Sequence, residues 1–203
     1  DVVVSASQKA WMASPGIAIA AVSPRADVAR QKARMPRFYW DFGQAATWAT
    51  KGQTPWTPAV SVLYGLRVGV QRLVAEGTAR TWARHEALAR ATEAGLQALG
   101  MWLVASEGYR SATVTAAWLP EGLEWVTFNA ALRSRGLAVA GGQGKFSGKI
   151  LRFGHMGDVS LEELTRAIDV MGEVLPQLGV AADGAAAVAA TRDAFREATE
   201  AAA

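Results

Sequence analysis

The sequence predicts an α/β protein in which short strands alternate with helices and a layer of helices packs against a small sheet. Three features support this prediction. Two runs of β-branched and small apolar residues lie near the N-terminus, two long stretches between residues 59 and 100 carry apolar residues at helical spacing, and short apolar runs alternate with helical patterns beyond residue 100. Because 51% of the 203 residues are apolar, the chain can bury a substantial core.

The N-terminal segment is predicted to contain two strands. Residues 2–5 are typical of a short buried strand, residues 17–22 of a second strand, and Pro15-Gly16 supplies the turn between them. A basic stretch follows over residues 25–37, and we interpret it as a solvated helix face. An aromatic run, Phe38-Tyr39-Trp40-Asp41-Phe42, comes directly after it.

Two long helices are predicted next. The first covers the periodic apolar residues between Val60 and Val74, and Gly77 can end it. The second runs from about residue 78 to residue 99 and ends at Gly100. Its apolar stripe consists of Leu88, Ala91, Leu96 and Leu99, with Trp82 towards one edge.

The remainder of the chain is predicted to be the α+β layer. Strands are expected over residues 101–105, 112–118, 137–140 and 150–153, with a helix over residues 123–135. Ser160-Leu161-Glu162-Glu163 has the pattern of a capping box and should begin another amphipathic helix. The alanine-rich tail from residue 181 should be helical but weakly anchored, because alanine buries little surface. The eight tryptophans are expected to lie mostly in the core.

Composition excludes several classes of function. The formal net charge of +3 is too small to indicate nucleic acid or a membrane as a partner. The chain has no cysteine, which excludes disulfides and cysteine-ligated zinc and fits a cytoplasmic location. No apolar run approaches the length of a transmembrane helix. Residues 1–4 look like a strand entered midway and no initiator methionine is present, so we expect a piece of a longer protein.

Lys9 is the first candidate for chemistry. A lysine directly after a buried strand would be partly desolvated, which lowers the pKa of its amine and makes the amine a usable nucleophile toward an aldehyde. A Schiff base to pyridoxal phosphate is one use of such a lysine. The alternative is a lysine whose side chain simply extends from a strand end into solvent.

The second candidate is Arg152, which follows a glycine-rich loop over residues 141–149. This loop is not a P-loop, because Gln143 or Val139 stands where the first glycine of that motif is required. An arginine at the end of a buried strand needs an anionic partner, and a bound carboxylate would serve. An internal salt bridge to Asp or Glu is the alternative.

The third candidate is the turn Thr54-Pro55-Trp56-Thr57-Pro58. Thr57 stands where an N-cap belongs, and the hydroxyl and free amides of a helix start can bind an anion. Ordinary capping is the alternative. His85 is expected to be a surface or satisfied histidine, whereas His155 could line the same site as Arg152. Two histidines this far apart do not suggest a metal site.

Together these stretches are more specific than any one of them. Ser7-Gln8-Lys9-Ala10 with Ser14-Pro15-Gly16 resembles the cofactor-lysine segment of the class V (fold type I) pyridoxal-phosphate aminotransferases. The branch that it resembles contains the alanine–glyoxylate, serine–glyoxylate and serine–pyruvate enzymes. The aromatic run, the turn at residues 54–58 and the loop and strand at residues 141–154 match the same family in order and rough spacing, from residue 1 to about residue 178.

The resemblance implies a fold, a cofactor and roles for individual residues. It implies an α/β fold of type I, with pyridoxal 5′-phosphate held by a Schiff base to Lys9, which would also move the substrate proton. Gln8 would contact the cofactor phosphate. Thr57, and less directly Thr54, would reach the phosphate in the neighbouring subunit of a homodimer. Arg152 would bind the α-carboxylate of a small amino acid, alanine or serine, whose amino group passes to glyoxylate or pyruvate.

One departure from the family concerns the missing upstream region. The family places an acidic residue on the pyridinium nitrogen well before the lysine, and only eight residues precede Lys9. The chain therefore looks like a C-terminal half. Residues 1–58 would be the end of the large domain, residues 59–180 a linking helix with the small domain, and residues 181–203 the tail. A non-catalytic subunit of the same fold, or another class V enzyme such as a lyase, remains an alternative.

Overall fold

The computed structural model describes residues 1–202. The chain divides into two compact units, Asp1–Ala75 and Glu76–Ala203. Each unit combines helices with an antiparallel sheet, and this mixed content agrees with the predicted class.

The first unit contains a two-stranded sheet and three helices. Strand β1 pairs with β2 in antiparallel register, so that Val2 lies opposite Val22 and Ala6 opposite Ala18. The elements are β1 (Val2–Ala6), β2 (Ala18–Val22), α1 (Pro24–Lys32), α2 (Phe42–Ala49) and α3 (Val60–Glu76), the last residue of which belongs to the second unit. Helix α1 has no buried residue, which confirms the solvated basic face, and Ser23 caps it by accepting a hydrogen bond from the backbone N–H of Ala26.

The prediction that β1 is buried is wrong for this chain. Val3 and Val4 are 68% and 69% exposed, although the strand itself forms where the sequence placed it. Within residues 1–202 the sheet that contains β1 has two strands, and a two-stranded ribbon cannot cover its own side chains. The sequence pattern identified the strand correctly but could not show what covers it.

The second unit is a layer of helices on a three-stranded antiparallel sheet. The strand order is β3-β5-β4, with β5 in the centre. The elements are α4 (Thr78–Ala98), β3 (Val114–Trp118), α5 (Trp125–Ser134), β4 (Ala140–Gly141), a short 3-10 turn (Gly144–Phe146), β5 (Ile150–Gly154), α6 (Leu161–Gln177) and α7 (Gly184–Ala201). The capping box at Ser160 is present, with both reciprocal hydrogen bonds to Glu163.

The core of the second unit lies between its helices and the inner face of its sheet. The predicted stripe of α4 is buried at all four positions, Leu88, Ala91, Leu96 and Leu99. Leu151 on β5 and Phe128 on α5 are fully buried in the same cluster. Burial of such side chains from both layers supplies most of the stabilisation of a small unit, at roughly 1.5–3 kcal/mol for each large apolar side chain.

Several predicted strands and helix ends differ from the structure. Residues 101–105 run beside β3 but form only an isolated bridge, Leu103 to Ala117, because too few backbone bonds are exchanged for a ladder. The strand predicted over residues 137–140 shortens to Ala140–Gly141, and the helix predicted from residue 123 begins at Trp125. Helix α2 was not predicted, since its eight residues are too few to show a period.

The expectation of core tryptophans is wrong for several of them. Trp40, Trp82 and Trp102 are 85%, 70% and 81% exposed. A tryptophan carries no periodic information on its own, so its residue type alone could not show which face of an element it occupies.

The tail is helical as predicted, but it is not weakly anchored. Helix α7 packs against both α4 and α6, and its Ala187 and Thr191 are fully buried. A Cβ on Gly172 of α6 would lie 2.4 Å from the Cα of Gly184, so the two backbones touch at this point. The small residues of the tail therefore stabilise it by close approach, through many backbone contacts that larger side chains would prevent.

No helix within residues 1–202 combines the length and the apolar character that a bilayer crossing requires.

We expect Gly172→Ala to lower the free energy of unfolding by about 1–3 kcal/mol, because the added methyl group must separate α6 from α7. The neighbouring surface change Glu173→Ala is the control and should cost less than about 0.5 kcal/mol. Chemical denaturation of both variants measures the difference. Equal stabilities would show that the two backbones can move apart without cost.

Candidate active site

Lys9 lies in the loop that joins β1 to β2 in the first unit. The loop begins after Ala6, and the backbone N–H of Met12 donates to the Lys9 carbonyl at 2.9 Å. Gln8 and Lys9 are both exposed, so the partial desolvation expected for Lys9 is not present in this chain. The end of β1 at Ser5 and Ala6 is half-buried and Ser7 is buried, so exposure begins where the chain turns away from the strand at Gln8. The Lys9 amine is therefore exposed to solvent on the loop between β1 and β2.

Ser7 fixes the shape of this loop from inside. Its side chain is fully buried, and its hydroxyl donates to the Ser14 carbonyl at 2.7 Å and accepts from the Ile17 N–H at 3.2 Å. Its backbone also bonds to Ala13 and Ile17. One side chain therefore joins both ends of the loop that carries Lys9. The sequence does not reveal this role of Ser7, since a serine in a loop gives no signal of burial.

The loop also rests on helix α3 of the same unit. A Cβ on Gly69 would lie 2.1 Å from the Trp11 carbonyl oxygen, so only glycine allows the helix to meet the loop backbone here. Met12 next to it has a φ of 60°, a left-handed conformation that costs roughly 1–3 kcal/mol in a residue with a side chain. Such a conformation persists where surrounding contacts determine the backbone, which indicates a rigid support under Lys9.

The turn at residues 52–58 forms an open groove in the first unit. Its Trp56 ring stacks on Tyr39 with centroids 5.3 Å apart and donates from Nε1 to the Tyr39 carbonyl at 3.0 Å. The Thr54 hydroxyl donates to the Trp56 carbonyl at 2.7 Å. The aromatic run found in the sequence therefore supports this turn.

Thr57 does not cap the helix that follows it. Helix α3 begins at Val60, so Thr57 lies three residues before its first turn, and the prediction of an N-cap is wrong. Pro58 and its neighbours hold Thr57 in an exposed position. Its hydroxyl forms no hydrogen bond with any other residue of the described chain, so it remains available to a ligand.

Arg152 lies in the second unit, in the middle of β5 and not at its end as predicted. Its neighbours across the sheet are Ala116 on β3 and Ala140 on β4. Both are small, so the guanidinium is only partly covered on the outer face of the sheet. Arg152 Nε donates to the Gly141 carbonyl at 2.8 Å. Small neighbours and a backbone acceptor leave the two terminal nitrogens free to bind an anion.

The alternative of an internal salt bridge receives no support. Arg152 forms no ion pair with a carboxylate within residues 1–202. Other arginines of the unit do pair, as Arg84 does with Glu76 at 2.6 Å and Arg110 with Glu93 at 2.8 Å. The hydrogen bonds from Arg84 lower the pKa of Glu76 to about 2. Arg152 thus differs from these structural arginines in having only a backbone partner.

The two histidines are structural, and His155 does not line the Arg152 face. Side chains alternate along a strand, so His155 faces inward, where it is fully buried. Its Nε2 lies 2.9 Å from the Thr115 hydroxyl. His85 is satisfied as expected, with Nδ1 2.7 Å from the Thr81 carbonyl and Nε2 accepting from the Gly157 N–H at 3.0 Å. Burial, followed by the nearby His85, lowers the pKa of His155 to about 4.

A solved structure shares this architecture. The crystal structure of pyridoxamine–pyruvate aminotransferase from Mesorhizobium loti superposes with a TM-score of 0.89 and 29% identity, over 97% of this chain and 52% of that one. The chain therefore has the fold of the type I pyridoxal-phosphate transferases, which confirms the predicted class.

Curated relatives define the family. L-aspartate–glyoxylate aminotransferase of Paracoccus denitrificans is 34% identical over 205 residues, covering 100% of this chain and 52% of that protein. Serine–glyoxylate aminotransferase of Hyphomicrobium methylovorum is 39% identical over 165 residues, covering 77% of this chain and 40% of that protein. The chain belongs to the class V aminotransferases, as the resemblance of its motifs indicated.

The relatives differ in name and exceed this chain in length. A protein of Synechococcus named as the small subunit of a soluble hydrogenase is 37% identical over 195 residues, covering 95% of this chain and 50% of that protein. The chain spans about half the length of the curated relatives that it matches, which agrees with the expected C-terminal half. No family model matches the chain.

Ser7→Ala should loosen the loop around Lys9, because it leaves the Ser14 carbonyl and the Ile17 N–H without their buried partner. We expect a loss of about 1–3 kcal/mol in the free energy of unfolding. Hydrogen exchange of the amides at residues 8–17 should accelerate in the same variant. Ser14→Ala is the control, because the exposed Ser14 side chain is not part of this network. Unchanged exchange in Ser7→Ala would contradict the role of the buried hydroxyl.

His155 should make stability depend on pH in weakly acidic solution. Its pKa of about 4 in the folded chain lies below the usual 6.5, so the unfolded chain binds more protons between these values. Stability is therefore full above about pH 6.5 and falls as the pH drops towards 4, by at most about 3 kcal/mol. Denaturation from pH 7 to pH 4 should show a weaker decline for His155→Gln. Parallel curves for the two proteins would exclude His155 as the source.

Proposed function

We propose that the complete protein carrying this chain is a pyridoxal-phosphate-dependent aminotransferase. It would move the amino group of a small amino acid, alanine or serine, to glyoxylate or pyruvate. The observation that carries the proposal is Arg152, a guanidinium held by a backbone carbonyl between two alanines with no carboxylate partner in the described chain. Amino acids and 2-oxo acids share the carboxylate that such a group binds.

The donor groups of the chain fit pyridoxal phosphate. Lys9 supplies a primary amine that is exposed and forms no ion pair within residues 1–202, so an aldehyde can reach it. The Gln8 amide beside it and the free hydroxyl of Thr57 are suitable donors for a phosphate. When bound, pyridoxal phosphate supplies the aldehyde that takes the amino group and the ring that withdraws electrons from it.

Each residue of the chain then has a limited task. The Arg152 terminal nitrogens bind and orient the substrate carboxylate. The Lys9 amine accepts the proton from the α-carbon of the amino acid and later returns one. The rigid support from Ser7 and Gly69 keeps that amine in place, because proton transfer depends on a correct distance between the groups.

The proposed assembly is a cytoplasmic homodimer with a shared active site. Thr57, together with Thr54, would reach the cofactor phosphate of the neighbouring subunit. The free hydroxyl of Thr57 on an exposed turn supports this arrangement, whereas the Thr54 hydroxyl donates to the Trp56 carbonyl and would have to give up that bond to donate to a phosphate. The same family also contains lyases, and a desulfurase would require a cysteine that this chain lacks.

A borohydride trap tests the proposal. The complete protein is incubated with pyridoxal phosphate and reduced, which converts a carbon–nitrogen double bond into a stable single bond, and the modified peptide is identified by mass. We expect one adduct on Lys9, none on Lys9→Arg, and only background labelling at the exposed Lys51. A second sample, loaded with pyridoxal phosphate but not reduced, should transfer the amino group of alanine or serine to glyoxylate.

The other outcomes are distinct. A trapped Lys9 without amino transfer would indicate a lyase. No adduct on Lys9 beyond the level at Lys51 would refute the proposed role of the lysine and favour a non-catalytic subunit.

A further inference from the structure

Two adjacent glycines in the second unit are held from both sides. A Cβ on Gly141 would lie 2.7 Å from Cε2 of the Trp125 indole, so the ring lies directly against this backbone. A Cβ on Gly142 would lie 2.0 Å from the carbonyl oxygen of Phe146. The Gly142 N–H also donates to the Ile150 carbonyl at 3.0 Å. The backbone of the pair therefore cannot shift towards either side without a collision.

The carbonyl that this clamp fixes is the one that holds Arg152. Gly141 accepts the hydrogen bond from Arg152 Nε at 2.8 Å. A guanidinium is planar, and its N–H groups point in fixed directions, so one bond at Nε determines where both terminal nitrogens point. The position of the Gly141 oxygen thus sets the direction from which a carboxylate can approach.

We propose that Trp125 is a positioning residue for the carboxylate site, acting through the Gly141 carbonyl on the Arg152 guanidinium. This inference rests on the proposed function and adds to it the geometry of binding, in which the substrate carboxylate meets the two terminal nitrogens end-on. Trp125 lies at the first position of α5 and is half-buried against the core, so the helix anchors the ring.

The proposal separates carboxylate binding from the chemical steps. Without the indole, β4 can move into the vacated space together with the Gly141 carbonyl. The Arg152 guanidinium then no longer has a fixed orientation. Bidentate recognition depends on that direction, so affinity for a carboxylate should fall. A substrate that has an amine but no carboxylate does not use Arg152, and its reaction should not change.

The test compares alanine with ethylamine, which differs from it by lacking the carboxylate, in the complete protein loaded with pyridoxal phosphate. Trp125→Ala should raise KM for alanine about tenfold or more with kcat changed less than about threefold, and leave the reaction with ethylamine within about twofold. Trp125→Phe retains a flat ring and should restore most of the affinity. Trp82→Ala, at a tryptophan 70% exposed in the same unit, is the matched control and should behave as the unchanged protein.

A second readout does not depend on activity. The Nε–H signal of Arg152 in spectra of protein with 15N-labelled arginine, assigned by its disappearance in Arg152→Lys, reports the bond to Gly141. It should be protected from exchange in the unchanged protein, in Trp125→Phe and in Trp82→Ala, and lose protection in Trp125→Ala. Thermal unfolding identifies any variant that has not folded; if Trp125→Ala is one of them, Trp125→Leu, which keeps apolar volume but removes the flat ring, replaces it and should show the same loss of protection.

Each result has one meaning. A protected Nε–H in folded Trp125→Ala, or an equal loss of activity towards alanine and ethylamine, overturns the positioning role. If the unchanged protein transfers no amino group while the Nε–H responds to Trp125 as stated, the proposed function fails and the positioning of Arg152 by Trp125 stands.

Discussion

The side-chain alternation of β5 is the constraint on which the second unit depends. This strand pairs on both sides, so its register decides simultaneously what enters the core and what faces outward. Leu151 and Phe153 enter the core and His155 continues their row, while Arg152 faces outward between two alanines. A slip by one residue would bury the guanidinium and expose Leu151. The apolar core and the candidate carboxylate site therefore depend on the same register, and neither can be changed independently.

The sequence predicted those parts of the fold that periodic patterns describe. The stripe of α4 and the capping box of α6 appear as expected, since many residues repeat one signal along each helix. The packing of α7 could not be predicted, because it depends on contacts such as Gly95 against Thr191, where a Cβ would lie 2.3 Å from the hydroxyl. Such contacts join residues distant in sequence, and alanines in a single helix do not reveal them.

The candidate site rests on the family motifs more than on physical arguments from single residues. The family motifs single out Lys9 and Arg152 as candidates, whereas the physical argument expected a desolvated lysine after a strand that is exposed in this chain. The sequence did not reveal the residues that support the Lys9 loop. Ser7 and Gly69 act on the loop by a buried hydrogen bond and by the absence of a side chain, and neither feature has a pattern in the sequence. Contacts between residues that are distant in sequence can be identified only from the three-dimensional structure.

Arg152 differs from the arginines of the second unit that pair with carboxylates, and the difference follows from the partner. Arg84 and Arg110 pair with carboxylates inside the second unit, so their charges are balanced by other residues of the fold. Arg152 is held by a carbonyl, which orients a guanidinium but does not cancel its charge. A cation fixed in this way retains its attraction for an anion and has already lost part of its conformational freedom, so binding costs less entropy. A glycine carbonyl clamped by an indole is therefore a better support for a carboxylate-binding arginine than a glutamate, which would compete with the ligand for the same nitrogens.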